Sequence, residues 1–430
     1  MPRPTCINLI SFFYPIGNTP ADADILLLGC GDFRNILFTA YADTAPTTRS
    51  LDITCCDIEG AIIAQNILAF TVLLDDTEGK QHSNLWQIYY HMYMDEKSLK
   101  LLQAQAKKLV HFAETFESWK AGKYGTIFKF CEEGTFNIVK KLWEEYATFN
   151  RSRNEQAGYD NRFKAKIEDA IRKKQDFGRE GLNLSALRSA SPASINPGQD
   201  APKAHEHFWK YGTTDRNPSK LPRDRNSNPT FASQNTDIFT LHYGTDLHLG
   251  FPLATAYVPL VKDSPLAAGK GSRSDFQRIT DAARTHFRAW CVAFRTFAKN
   301  LTLRFFVGDA IAFCHTLQHV KTIGNAESHW YRNKYTTEII KLDTHEYSSS
   351  GSSPVTFDVI DTSNLVDHLG PVNVLVAASP LLKRNITSTM YTESLVAREK
   401  NRRDLMEKLL CGSLTHGVTS SGTGSDRVLN

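Results

Sequence analysis

Apolar positions along this chain fall into two blocks of strand-then-helix pattern, separated by a long stretch of different character. Residues 25–28 are a continuous apolar run ending in Gly29-Cys30-Gly31, which reads as a buried strand entering a tight turn. Residues 35–41 read as helical. Residues 51–56 are a second apolar, β-branched run, closed by Asp57. Ile62, Ile63, Asn66, Ile67, Phe70 and Leu74 then give 58–74 the spacing of an amphipathic helix. The order β-α-β-α is the opening of a parallel sheet with helical crossovers.

The alternation stops near residue 80. Residues 80–175 read as helices rich in Lys, Glu and aromatics, with 97–119 and 136–149 as examples. Residues 184–236 are crowded with Ser, Pro, Asn and Arg and read as loops, tacked to a core by the apolar knot from Phe208 to Gly212. A long helix over 274–299 carries Phe276, Ile279, Phe287, Trp290, Phe294 and Phe297 on one broad face. Strand-like runs return at 301–307, 357–360 and 372–378, with a Ser/Gly run at 348–353 read as a solvated loop. Residues 393–410 read as a charged amphipathic helix. The economical expectation is an α/β fold, a Rossmann-like parallel sheet split by a long, mainly helical insertion. Its first half is 1–79, the helical and loop-rich insertion 80–273, the second half 274–411, and 412–430 a disordered tail.

Composition leaves this picture standing. The 430 residues are 41% hydrophobic and 22% charged, which is ordinary for a globular protein. A net charge of +4 is too small over this length to suggest a nucleic-acid surface. The eight cysteines contain no Cys-x-x-Cys pair, so neither a zinc knuckle nor a disulfide framework is supported, and Cys55 and Cys56 read as small core residues. The apolar stretch 7–14 is short and has no small-residue cleavage pattern after it, so it does not read as a secretory leader. No apolar run reaches the roughly 18 residues of a membrane span. The expectation is a cytoplasmic protein with reduced thiols.

Sheets of this kind place ligands at the carboxyl ends of their strands, and the distinctive residues fall there. Gly29 and Gly31 allow a cofactor close to the backbone, with the next helix offering its amino terminus. A third glycine is absent, because Phe33 and Arg34 follow Asp32. Asp57 ends the second strand, where an acid can accept hydrogen bonds from both ribose hydroxyls. It also suits a cap for the following helix, and the two roles are compatible. Its distance from Gly31 exceeds the usual spacing of about 20 residues, which a loop over 42–50 explains. Glu59 has a secondary role in the first helical turn. Gly308-Asp309-Ala310 follows the strand 301–307; an acid there takes an adenine amino group in S-adenosylmethionine-binding folds, or caps a helix. Asp361, Ser363 and Asn364 lie at the fourth strand end, facing the cofactor's reactive end, and are the nearest catalytic candidates, with turn formation as the alternative.

Other groups are weaker. His315 and His319 are spaced i, i+4, but no third metal ligand is evident, and no metal site is expected. His205 and His207 read as surface residues, His242 and its neighbours as packing first and substrate contact second, and 398–403 as a solvated helix surface.

The stretches 26–32, 34–37, 56–59, 242–245 with 250–251, 305–310 and 357–365 resemble a fungal family of uncharacterised proteins of the domain-of-unknown-function 4470 type. Many members carry a MYND zinc finger, and the family's N-terminal domain resembles that of an axonemal dynein assembly factor. The resemblance covers most of the chain and implies a methyltransferase-like fold, without implying a reaction. This chain lacks the clustered Cys and His ligands of finger-bearing members, so zinc binding is not carried over.

Two functions compete. In the first, an S-adenosylmethionine-dependent methyltransferase holds the methionine end at Gly29, Gly31 and Asp32, the ribose at Asp57 and the adenine at Asp309 and Ala310. Its acceptor stays open between a small molecule, a protein and RNA, with the weak net charge arguing mildly against RNA. In the second, an assembly or interaction protein keeps the fold without turnover. A nicotinamide-dependent oxidoreductase fits less well, because the third glycine is missing. No membrane partner is expected.

Overall fold

Strands form where apolar and β-branched runs can be buried on both faces. The computed structural model describes residues 22–31, 33–42, 49–149, 161–162, 164–165, 168, 207–208, 210–215, 226–231, 275–331 and 337–392. The first crossover is β1 (Ala23–Leu28), α1 (Arg34–Ala42), β2 (Leu51–Asp57) and α2 (Gly60–Asp75). There follow α3 (His82–Tyr90), β3 (Tyr93–Met94), α4 (Glu96–Phe112), α5 (Phe116–Ala121), β4 (Phe128–Phe130) and α6 (Glu133–Ala147). After β5 (Asn226–Ser227) come α7 (Asp275–Phe297), β6 (Leu301–Val307) and α8 (Ala310–Ile323). The hairpin β7 (Glu327–Tyr331) and β8 (Thr337–Lys341) precedes β9 (Val359–Asp361), α9 (Leu365–Leu369), α10 (Pro371–Ala378) and β10 (Thr389–Tyr391).

Six of these strands make one sheet in the order β10-β9-β1-β2-β6-β4, every neighbouring pair parallel. Helices flank both faces. Alternation along the strands assigns the side chains: Ile25, Leu27, Ile53, Cys55, Leu303 and Phe305 join the core beneath α1, α2, α6 and α7. Leu26, Leu28, Cys56, Phe306 and Ile360 join the core beneath α8 and α10. This is a Rossmann-like α/β architecture with a parallel sheet, as expected above.

Some expectations change. Residues 372–378 are not a strand; they lie in α10, which Gly370 and Pro371 open. Pro at the first helical position costs no hydrogen bond and presets φ for a helix. The strand next to β9 is instead β10. The segment expected to be helical is not wholly so, because β4 pairs with β6 at the sheet edge. The single helix expected over 97–119 is two, broken where Thr115 caps α5 through Ser118 N. The Ser/Gly run is a largely exposed loop, as expected, whose Ser352 and Ser353 also bond the buried Arg304. The expected knot does anchor its segment, with Phe208 fully buried and the Gly212 carbonyl accepting from Met92 N and Tyr93 N. Cys55 and Cys56 are buried free thiols. The expectations for 393–410, for the tail and for His205 and His242 lie outside the described residues, as do most of those for 184–236.

Candidate functional site

Four strand ends meet at the carboxyl edge of the sheet. Leu28 pairs with Cys56, Leu27 with Asp361, and Asp57 with Val307, so the residues after β1, β2, β6 and β9 are lateral neighbours. The parallel register is what brings them together; no two are close in sequence.

Gly29 and Gly31 have φ of 63° and 57°, the left-handed region that glycine enters without strain. A Cβ at Gly29 would come within 3.2 Å of Leu365 Cδ2, so α9 closes over this side of the turn. Gly31 is clamped from both sides. Its N–H donates to Asp57 Oδ2 at 2.9 Å, and its carbonyl accepts from Asn66 Nδ2 at 2.7 Å. Asp32 lies outside the described residues.

Asp57 is only 6% exposed, and both of its oxygens are occupied. Oδ2 accepts from Gly31 N, and Oδ1 accepts from Glu59 N at 3.0 Å. It thus ties the loop after β1 to Glu59, the residue that precedes α2. Cys30, buried between the two glycines, has its thiol pushed well above the usual range by the adjacent Cys55, by burial and by the charge of Asp57. It is therefore a packing thiol, not a nucleophile. Glu59 takes the N-cap position of α2 with extended backbone, yet its side chain caps nothing. Desolvation and then the Asp57 charge push its carboxyl up from the ordinary value.

Across the β2–β6 boundary, Asp309 caps α8, its Oδ1 accepting from Ala312 N at 2.8 Å. Ala310 is buried behind it. Ile58, by contrast, is 61% exposed. It follows Asp57 directly, and Asp57 O accepts from Gly308 N. An apolar side chain therefore stands in solvent beside the Gly308–Asp309 turn. Ile138 of α6, also exposed, packs on Gly60 a few residues further on.

At the end of β9, Asp361 Oδ1 accepts from Ser363 N at 2.7 Å. Ser363 has φ of 47°, the one non-glycine in the left-handed region among the described residues. Asn364 Nδ2 lies 3.3 Å from His368 Nε2. These three residues therefore form a turn, and Ser363 is held in a conformation that costs energy. His315 and His319 share α8, and among the described residues no group of three His, Cys, Asp or Glu side chains could hold a metal ion.

The register brings together Gly29, Gly31, Asp57, Asp309, Ala310 and the Asp361–Asn364 turn. Sequence reasoning missed Asn66 and Ile58. Asn66 carried a signal, since a polar residue stands on the buried face of α2; Ile58 read simply as the helix start. A cavity of about 500 Å³ lined by Gln318, Lys321, Ser379 and Lys383 lies elsewhere, near Asp24 and Asp358 at the amino end of the sheet.

One comparison bears on the loop just described. Residues 6–94 match DUF4470, a domain of unknown function. The DUF4470 stretch spans β1 to β3, so it contains Gly29, Gly31, Asp57, Glu59 and Asn66, while Asp309 and the Asp361–Asn364 turn lie beyond it. No curated protein and no solved structure matches the chain. No helix among the described residues is long and apolar enough to cross a membrane.

Proposed function

We propose that this protein binds S-adenosylmethionine at the carboxyl edge of its sheet, as a methyltransferase-like protein whose acceptor is a protein or a small molecule. The carrying observation is the lateral meeting of the β1, β2 and β6 ends, with two left-handed glycines at the first and an exposed isoleucine at the second. The residues suit the group. Ile58 offers an apolar surface to a purine ring, Asp309 keeps its second oxygen without a bond among the described residues, and Gly29 and Gly31 add no side chain of their own to the turn. Bound there, the cofactor would supply an activated methyl group. The protein's part would be positioning and exclusion of water. Residues 80–273 would act as the insertion that docks the acceptor, and Asp361, Ser363 and Asn364 would border the reactive end.

A second reading keeps the fold and gives up turnover, leaving an assembly or interaction protein. Leu365 seated over Gly29 favours it, because it narrows the space where a methionine moiety would lie. So does the engagement of both Asp57 oxygens inside the protein. The resemblance to an axonemal dynein assembly factor points the same way.

Calorimetric titration with S-adenosylmethionine and S-adenosylhomocysteine separates these outcomes, with Ile58→Lys as the control that leaves the Gly31–Asp57 bond untouched. Saturable binding that Ile58→Lys abolishes supports the cofactor site. Absence of binding to the folded protein overturns it. Binding without transfer of a labelled methyl group to a cell extract favours the second reading.

A further inference from the structure

We infer that Glu59, and not Asp57, is the carboxylate that takes the ribose diol of the bound nucleoside, with Asp57 acting as a positioning residue for the glycine turn. This rests on the cofactor site proposed above and names the contact that would select a ribonucleoside.

A diol needs an acceptor that faces open space with lone pairs unspent. Asp57 is a poor one: it is buried, and its two oxygens already receive the Gly31 and Glu59 amides. Turning it toward a ligand would strand the Gly31 N–H, whose neighbouring carbonyl is itself pinned by Asn66. A buried amide left without a partner is costly.

Glu59 meets the requirement. It stands two residues further along the same strand end and is exposed, and its carboxylate has no hydrogen bond or ion pair among the described residues. The bond from its own N–H to Asp57 fixes its backbone, so the side chain starts from a held position. Ile58, exposed between the two acids, sets the ring-binding surface directly beside it. Beside the loop, Asn66 of α2 has a buried acceptor, Oδ1, without a partner among the described residues, next to the Gly31 carbonyl that its own amide holds. The side chain that holds Gly31 thus keeps one acceptor oxygen unspent beside the turn.

The test uses the full chain, S-adenosylhomocysteine and its 2′-deoxy analogue. Glu59→Gln should weaken S-adenosylhomocysteine about tenfold or more, erase the preference over the deoxy analogue, and leave the melting temperature without ligand unchanged. Asp57→Asn should lower that melting temperature while the folded fraction keeps the preference. Undiminished preference in Glu59→Gln overturns the inference, as does its loss in an Asp57→Asn protein that melts like wild type. If the wild-type protein binds neither compound, it is the cofactor reading itself that fails.

Discussion

Asp57 Oδ2 accepts the Gly31 amide at 2.9 Å across 26 residues of sequence, joining the end of β2 to the turn after β1. The bond is buried, and the same carboxylate also accepts from the N–H of Glu59, the residue before α2. One side chain therefore sets the shape of the loop and the direction of the helix that supports it.

Asp57→Asn tests the weight of that bond. An amide keeps one acceptor, so its NH2 must face either the Gly31 or the Glu59 N–H, and one buried donor loses its partner. The expected loss is about 1–3 kcal/mol, since hydrogen bonds to charged groups lie at the upper end of the usual range. Urea denaturation should show a lower midpoint at unchanged slope.

Ser363 makes the opposite prediction. Its φ of 47° is strained for a residue with a Cβ, and the bond from its N–H to Asp361 holds it there. Ser363→Gly removes the strain at the cost of a freer unfolded chain, so stability should rise by up to about 1 kcal/mol. Ser363→Val should lower it, because a β-branched side chain fits this region worst. Equal midpoints for the two variants would remove the strain argument.

Acid sensitivity follows from two carboxylates away from the site. Burial would raise the Asp75 carboxyl, but hydrogen bonds from Lys108, Lys123 and Tyr124 more than offset it and hold it at about 2. Glu346 is likewise pushed up by burial and brought down to about 2 by Lys129, Arg304 and Ser352. Both folded values lie below the unfolded ones, near 4. The folded state therefore binds fewer protons than the unfolded state between about pH 5 and 2. Stability that is full above pH 5 should fall as pH drops through that window. Asp75→Asn should flatten the dependence of the urea midpoint on pH, and an unchanged slope would exclude Asp75 as a contributor.

Arg304 is the buried half of the second of these clusters. Its side chain is 3% exposed; it bonds both oxygens of Asp52, and Glu346, Ser352 and Ser353 complete its partners. Arg304→Ala leaves Asp52 without its cation and Glu346 with Lys129 alone, a change worth about 3 kcal/mol. It should also release residues 343–353 from the sheet, visible as new cleavage there in limited proteolysis. Cleavage confined to other loops would mean that this segment is held by something else.

Much of this arrangement could be read from residue order, and the failures have physical causes. β1, β2 and β6 are apolar runs whose ends carry Gly29, Asp57 and Asp309, and all three strands stand where the pattern put them. Residues 372–378 misled because a short apolar run is compatible with a buried strand or a buried helix; Gly370 and Pro371, the helix-opening pair, were the signal to weigh. β4 and β10 have only three residues each, too few for an alternation to register. Asp57 was legible as an acid at a strand end, but not its partners, since the Gly31 amide reaches it only through the parallel register. The left-handed Ser363 gave no sign, because serine is unremarkable in a turn until its φ is known.

Gly29 and Leu365 offer the sharpest check on whether the glycine turn is shaped by its own neighbours. Two terms make Gly29→Ala unfavourable: the positive φ, about 1 kcal/mol or more, and the approach of Leu365 to within 3.2 Å of the new Cβ. Leu365→Ala removes the second term and leaves the first. The two substitutions should therefore be non-additive, the double variant being more stable than the sum of the singles implies by about 1 kcal/mol. A coupling near zero would mean that Leu365 yields to the methyl group, leaving backbone conformation as the sole reason for glycine. The same Leu365→Ala protein discriminates between the two functional readings. If Leu365 narrows the methionine end of a working site, its removal should tighten S-adenosylmethionine binding, whereas in a protein that binds no cofactor the titration should stay flat in both forms.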